Sequence, residues 1–210
     1  MNNTVCIAKM DLESHHEKKT HEIARVYKEV FGSEPWNEGY KCQECVNDNS
    51  YPLSFSEKFC PKCSLVGKKV KLSEYWPIPH IIADFKKEMS KVGAVCYLAH
   101  ERDSVIGFAW GYEILVDESV NEYLEAPGLH SIISQDKYLY LDEVAVLPKY
   151  RGSGIGKMLV KSICDGSDLK PILLRTKNNS PAFRMFSGFG GKVVLEITRE
   201  RVIMTIVSQV

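Results

Sequence analysis

The stretch Val144-Ala145-Val146-Leu147-Pro148-Lys149-Tyr150-Arg151-Gly152-Ser153-Gly154-Ile155-Gly156 decides how this chain folds. An apolar strand runs through a bend into glycines at alternate positions and then into a helix. Such a turn bares several backbone N–H groups at the positive end of a helix, where a phosphate or pyrophosphate is stabilised. Two nucleotide loops fail on spacing. A Walker loop needs glycine at position 151 and Ser or Thr after Lys157, where the chain has Arg151 and Met158. A dinucleotide fingerprint needs GxGxxG, and the chain has GxGxG. A glycine-rich turn that binds nothing is the plain alternative.

Elements read outward from this turn give an order. Thr4 to Ala8 is a strand, and Ile23, Val26, Tyr27, Val30 and Phe31 recur at helical spacing before Gly32 stops the helix. Ile81, Ile82, Phe85 and Met89 mark a second helix. Ala94 to His100 and Val105 to Ile114 form a hairpin, and residues 116–136 are an acidic connection. Strand Tyr138 to Val146 leads into the glycines and a helix carrying Ile155, Leu159 and Ile163. Strand Ile172 to Arg175, helix Pro181 to Phe186, and strands Val193 to Ile197 and Val202 to Val207 follow. Mixed elements with a β-α-β crossover at the glycines imply an α/β mixed sheet covered on both faces.

The pattern Arg151-x-x-Gly154-x-Gly156, preceded by the turn Val146-Leu147-Pro148, resembles motif A of the GNAT (N-acetyltransferase) superfamily. The turn Phe31-Gly32-Ser33-Glu34-Pro35-Trp36 resembles one that many members carry between their first two helices. The element order is also similar outside a cysteine-rich segment. The resemblance implies the GNAT-like acyl-CoA N-acyltransferase fold, acetyl-CoA as cofactor and direct acetyl transfer to an amine. It implies that the main chain of Val144, Ala145 and Val146 pairs with the pantetheine arm. Arg151, Gly152, Ser153, Gly154, Ile155, Gly156 and Lys157 would hold the pyrophosphate. Asn179 and Phe186 are further cofactor-side positions, with a helix cap before Pro181 as the other role for Asn179.

A primary amine is mostly ammonium at neutral pH, so an attacking nucleophile needs a base. Asp142 and Glu143 precede the pantetheine-binding positions, and Glu143 stands where many family sequences carry glutamate. A surface carboxylate or loop cap is the other reading. For the departing thiolate many members present tyrosine in NxxAxxxY, but Asn179-Ser-Pro-Ala182-Phe-Arg-Met-Phe186 ends in phenylalanine, which cannot donate a proton. Tyr140, Tyr138, Ser187 or water would substitute, or the thiolate leaves unassisted. Trp36, Trp110, Tyr112 and the acidic residues Asp117, Glu118, Glu122 and Glu125 could line an amine pocket, or serve packing and a solvated loop.

The chain has 210 residues, 44% hydrophobic and 26% charged, so a soluble globular domain over 1–210 is expected. Lys plus Arg and Asp plus Glu are 27 each, so no global field draws nucleic acid or a membrane, and neither is an expected partner. A homodimer stays open. No apolar run approaches a membrane span and no secretion signal is visible, which points to the cytoplasm.

Cys42-Gln-Glu-Cys45 and Cys60-Pro-Lys-Cys63 place two CxxC pairs in a polar stretch without periodicity. Four thiolates at that spacing suit one structural Zn²⁺, and residues 39–73 read as a zinc-ribbon-like module inserted between the first and second helices. A metal supplies the order that so long an irregular segment otherwise lacks. Lys58, Lys62, Lys68, Lys69 and Lys71 allow a second functional class, a catalytically weak acyl-CoA sensor whose zinc module binds a protein or nucleic acid.

Overall fold

The computed structural model describes residues 4–14, 17–42, 52–53, 60, 72–167 and 171–207. Its first half carries β1 (Val5–Lys9), α1 (Glu17–Phe31), β2 (Tyr40–Cys42), β3 (Pro52–Leu53), β4 (Leu72–Glu74), α2 (Ile78–Met89), β5 (Val95–Glu101) and β6 (Ser104–Leu115). Two short helices, α3 (Ser119–Tyr123) and α4 (Leu129–Ile132), lead to β7 (Lys137–Val146). A 3-10 turn at Pro148–Tyr150 then precedes α5 (Ile155–Asp165), β8 (Ile172–Lys177), α6 (Pro181–Ser187), β9 (Lys192–Glu196) and β10 (Arg201–Ile206).

Helix α1 forms because Ile23, Val26, Tyr27, Val30 and Phe31 line one buried stripe, with Glu17 in the first turn and Lys28 in the last complementing the helix dipole. It ends at Gly32, whose N–H donates to the Lys28 carbonyl at 2.9 Å. The main sheet has seven strands in the order β1-β5-β6-β7-β8-β10-β9. Only the β7–β8 pair among these is parallel.

The two faces of central β6 pack on different helices. Phe108 and Trp110 stack on Tyr27 of α1, at ring-centroid distances of 6.3 and 6.0 Å. On the opposite face Gly107 leaves room for α5, since a Cβ there would stand 3.4 Å from Leu159 Cδ1.

The expected elements appear to within a few residues, with two additions. The acidic connection folds into α3 and α4, and its apolar residues Val120, Leu124 and Leu129 are buried in a second cluster with Tyr112, Tyr138 and Tyr140. The segment from 39 to 73 was expected to lack regular elements, yet β2 pairs antiparallel with both β3 and β4 in a separate sheet of order β3-β2-β4. Backbone pairing at the neck of the segment does not require apolar periodicity, which is why the sequence pattern missed it.

Leu159 of α5 is fully buried at 0% exposure. Leu159→Ala is expected to lower unfolding stability by about 2–5 kcal/mol, read as a lower midpoint with an unchanged slope in urea titration.

Candidate active site

Strand β7 keeps both neighbours only as far as Leu141. Its parallel pairing with β8 runs from Leu139↔Ile172 to Leu141↔Leu174 and stops, while pairing with β6 continues to Val146↔Gly107. The register slips at the same place, because Gly111 faces Leu141 whereas Trp110 faces Glu143. Asp142 is therefore an extra residue, a bulge that bends the strand and increases its twist. Gly111 opposite it admits the close approach, since a Cβ there would lie 2.4 Å from the Tyr140 carbonyl oxygen. Beyond the bulge, no strand among the described residues lies beside the β8-facing main chain of residues 142–146.

That open edge leads to the glycine turn. Gly152 and Gly154 have φ of 80° and 88°, a left-handed backbone that glycine adopts without a Cβ penalty. The first backbone bond after them is Met158 N–H to the Gly154 carbonyl at 3.0 Å, and among the described residues no backbone acceptor meets the N–H groups of residues 152–157. Ile155 buries its side chain in the core, so it offers only its N–H, and Lys157 is exposed. Arg151 bends back over the open edge: Nε donates to the Val146 carbonyl at 3.3 Å and Nη1 to the Glu34 carbonyl at 2.7 Å.

At the bulge two cavities meet. One of about 250 Å³ has Trp36, Glu38 and Tyr140 on its wall and a basic side formed by Arg175, Lys177 and Arg201. The other, about 170 Å³, lies between α1, α2 and β6. Tyr27, Trp76, Asp142 and Glu143 belong to both.

The carboxyl groups here are uncomfortable as anions. Burial pushes Glu143 well above the ordinary glutamate range and the neighbouring Asp142 charge pushes the same way, opposed by a hydrogen bond from the Tyr27 hydroxyl at 3.2 Å. Asp142 is raised by burial, against a bond from Trp110 Nε1 at 3.3 Å. Glu38 is raised by burial, against a bond from Trp76 Nε1 at 3.0 Å. Burial and then the nearby carboxylates raise Tyr27, Tyr112 and Tyr140, which remain neutral phenols. Beside Asp142 the Tyr112 and Tyr123 hydroxyls are hydrogen-bonded, and Lys91 donates to Tyr123 at 2.8 Å while pairing with Glu88.

Asp142, Glu143, Tyr140 and the open edge 144–146 thus come together, while other expected positions sit elsewhere. Phe186 is in the core at 4% exposure and lines neither cavity. Asn179 has a φ of 59° and does not cap α6, because Ser180 Oγ accepts the Phe183 N–H at 3.0 Å. Of the other donors considered, Tyr138 is buried in the second cluster and Ser187 Oγ donates to the Phe183 carbonyl at 2.9 Å. The acidic connection does not reach the cavities: Asp117 bonds Ser119, and Glu125 pairs with Arg175 at 3.1 Å. Tyr27, Glu38, Trp76, Asp84 and Glu88 were missed, since on a helix stripe or in a turn they carry no motif.

Cys42 and Cys60 are both buried at 0% exposure, whereas Cys45 and Cys63 lie outside the described residues. Among the described residues no group of three metal-ligating side chains comes together, and no helix is long and apolar enough to cross a membrane.

The acetyltransferase (GNAT) family model matches residues 65–190. This chain belongs to the GNAT family. A Pyrococcus horikoshii OT3 protein of known structure is 16% identical with a TM-score of 0.61, over 99% of this chain and 100% of that one. The PaiA N-acetyltransferase of Thermoplasma acidophilum in complex with coenzyme A is 15% identical with a TM-score of 0.55, over 98% and 99%. Arabidopsis thaliana NAA60 in complex with acetyl-CoA is 13% identical with a TM-score of 0.51, over 98% and 100%. At these identities the likeness is one of GNAT fold. No curated protein matches the sequence.

The raised carboxyl of Glu143 has a thermodynamic sign. Its folded pKa exceeds the unfolded one, so ionising it costs stability as pH climbs from the unfolded value through the folded one, and nothing below both. Glu143→Gln removes the cost. The variant is expected to melt above the parent near pH 8, with the gap closing toward about pH 4, by calorimetry across that range.

Proposed function

We propose that this protein is an acetyl-CoA-dependent N-acetyltransferase that passes the acetyl group directly to an amine. One observation carries the reading: the open edge of β7 leads from the bare N–H groups of the glycine turn to two half-buried carboxyls with raised pKa values. Residues 152–157 offer N–H donors at the start of α5 for a pyrophosphate, with glycines letting the backbone approach. The main chain of 144–146 offers an edge for the amides of the pantetheine arm, once Arg151 turns from the Val146 carbonyl toward the phosphates.

Glu143 takes the proton of the acceptor ammonium, because its raised pKa brings it closer to the amine than an ordinary glutamate. Asp142 beside it keeps that pKa high. The freed amine attacks the thioester carbonyl and a C–N bond forms; the C–S bond then breaks, the sulfur departs, and the nitrogen sheds its second proton to solvent or to the group that protonates the sulfur, leaving an amide and a thiol. Tyr140, a neutral phenol on the cavity wall, is the candidate to protonate the sulfur. With Phe186 in the core, a thiol pKa near 8.5 also lets the thiolate leave unassisted.

The chain is read as one domain over 1–210 with a zinc module at 39–73. Cys42 and Cys60, one from each CxxC pair, are both buried. Soft thiolates in an interior are what structural zinc takes up, and Cys45 and Cys63 complete the set of four. The metal's contribution is folding free energy for the module, with no part in the transfer.

Acetyl-CoA is expected to raise the melting temperature, and Gly154→Glu to abolish the rise by straining the turn and repelling phosphate. No rise with the parent chain overturns the assignment. Thiol release with a panel of amines should climb with pH through a midpoint above the usual glutamate value, and Glu143→Gln should lower it about 10²–10⁴-fold. Protection by acetyl-CoA without thiol release would instead favour the acyl-CoA sensor. Protein purified without chelator should hold about one zinc equivalent, and less than about half counts against the tetrathiolate set.

A further inference from the structure

The two cavities that share Asp142 and Glu143 differ in charge: the larger sets cations against its three carboxyls, whereas the smaller adds Asp84 and Glu88 to the shared pair. The larger has Arg175, Lys177 and Arg201 on its wall. Among the described residues the smaller has no Lys or Arg in its wall, and it is bounded by the rings of Tyr27, Trp76, Phe85 and Trp110. The rings are held as a set: Phe85 meets Trp110 edge-on at 5.2 Å between centroids, and Tyr27 meets Trp76 edge-on at 5.3 Å. Apolar walls of this kind lower the local dielectric, which strengthens the attraction between the carboxylates they border and a cation.

Its carboxylates lie at two depths. Asp142 and Glu143 are at the inner end, where the Glu143 carboxyl accepts a hydrogen bond from Tyr27. Asp84 and Glu88 stand one turn apart on α2, both on the cavity wall. Glu88 is paired with Lys91, whereas Asp84 is exposed and has no partner among the described residues. The cavity therefore runs from an unpaired surface carboxylate, between aromatic rings, to the proposed base. Its volume of about 170 Å³ equals five or six waters at about 30 Å³ each, room for a chain of similar atom count.

We propose that the acceptor is a short linear alkyl amine with a second positive charge at its far end, a reading that rests on the acetyltransferase assignment. The reacting amine lies at Glu143, the alkyl chain between Trp76, Phe85 and Trp110, and the distal ammonium at Asp84. A terminal carboxylate in the same place would meet like charge and be rejected.

Putrescine, n-butylamine and γ-aminobutyrate have similar chain lengths and differ in the distal group, cationic, apolar or anionic. With acetyl-CoA saturating, kcat/KM is expected to fall in that order. Asp84→Asn should lower it about fivefold for putrescine and leave n-butylamine unchanged, as for one exposed ion pair. Equal rates for putrescine and n-butylamine, or equal loss for both in Asp84→Asn, overturn the proposal. Preference for γ-aminobutyrate overturns it too and assigns the acceptor's tail to Arg175, Lys177 and Arg201.

Binding read without turnover separates this from failure of the acetyltransferase reading. Putrescine alone should raise the melting temperature more than n-butylamine, and Asp84→Asn should remove the difference. Absence of that difference overturns the proposal even where acetyl-CoA protects. Its presence in a protein that acetylates no amine leaves the cation site standing and removes only the enzyme.

Discussion

One bulged residue shapes the active-site region. A strand in register with both neighbours along its whole length would leave no edge open, and Asp142 breaks that condition. Past it β7 stays with β6 and leaves β8, so a run of main-chain donors and acceptors lies open inside the sheet rather than at its rim. Such groups are rarely left without partners in a protein interior. Under the proposed function that open edge is the slot for the extended pantetheine amides, and the glycine turn at its end the counterpart for the charged terminus of the cofactor.

The same bulge puts two half-buried carboxyls side by side between two cavities. Among the described residues no lysine or arginine pairs with either within 4 Å, and the indole and phenol donors at Trp110 and Tyr27 offset only part of the burial cost. A core that included them for stability alone would be better served by apolar residues. The surrounding packing tolerates them because Phe108, Trp110, Tyr27 and Phe31 interlock through their rings on one side while α5 closes the other face. Stability is contributed by the sheet and given up at the bulge, as expected where reactivity rather than cohesion selects the residue types.

What the sequence disclosed follows from what is local. The glycine turn, the stripe of α1 and the hairpin of β5 and β6 are each fixed by residues within about a dozen positions of one another, so periodicity and turn chemistry reveal them. The nearness of Glu143 to the glycine turn is also local, and it was legible. Tyr27 and Trp76 were not, because their place beside Glu143 depends on α1 and α2 crossing the sheet at a given height, which no single segment encodes. The burial of Phe186 in the core was not legible either, since a motif position does not say which way its side chain turns. A one-residue slip in β7 could not be read from alternation, and that slip sets which way two adjacent acids face.

The small sheet at the neck of the cysteine-rich segment bears on how the molecule tolerates change. Tyr40 pairs with Glu74 and Cys42 with Leu72, so the chain entering the segment and the chain leaving it are fastened to each other up to the first cysteine of the first CxxC pair. Just outside that fastening, Trp76 donates to Glu38 at 3.0 Å. The ends of the excursion are thus held at a distance set by β-pairing and not by the length between them, and further residues beyond the neck add little closure entropy. The cavity wall that Glu38 and Trp76 provide is mechanically decoupled from whatever the segment becomes: it could be lengthened, trimmed or exchanged among descendants while the carboxyls it borders stay where they are.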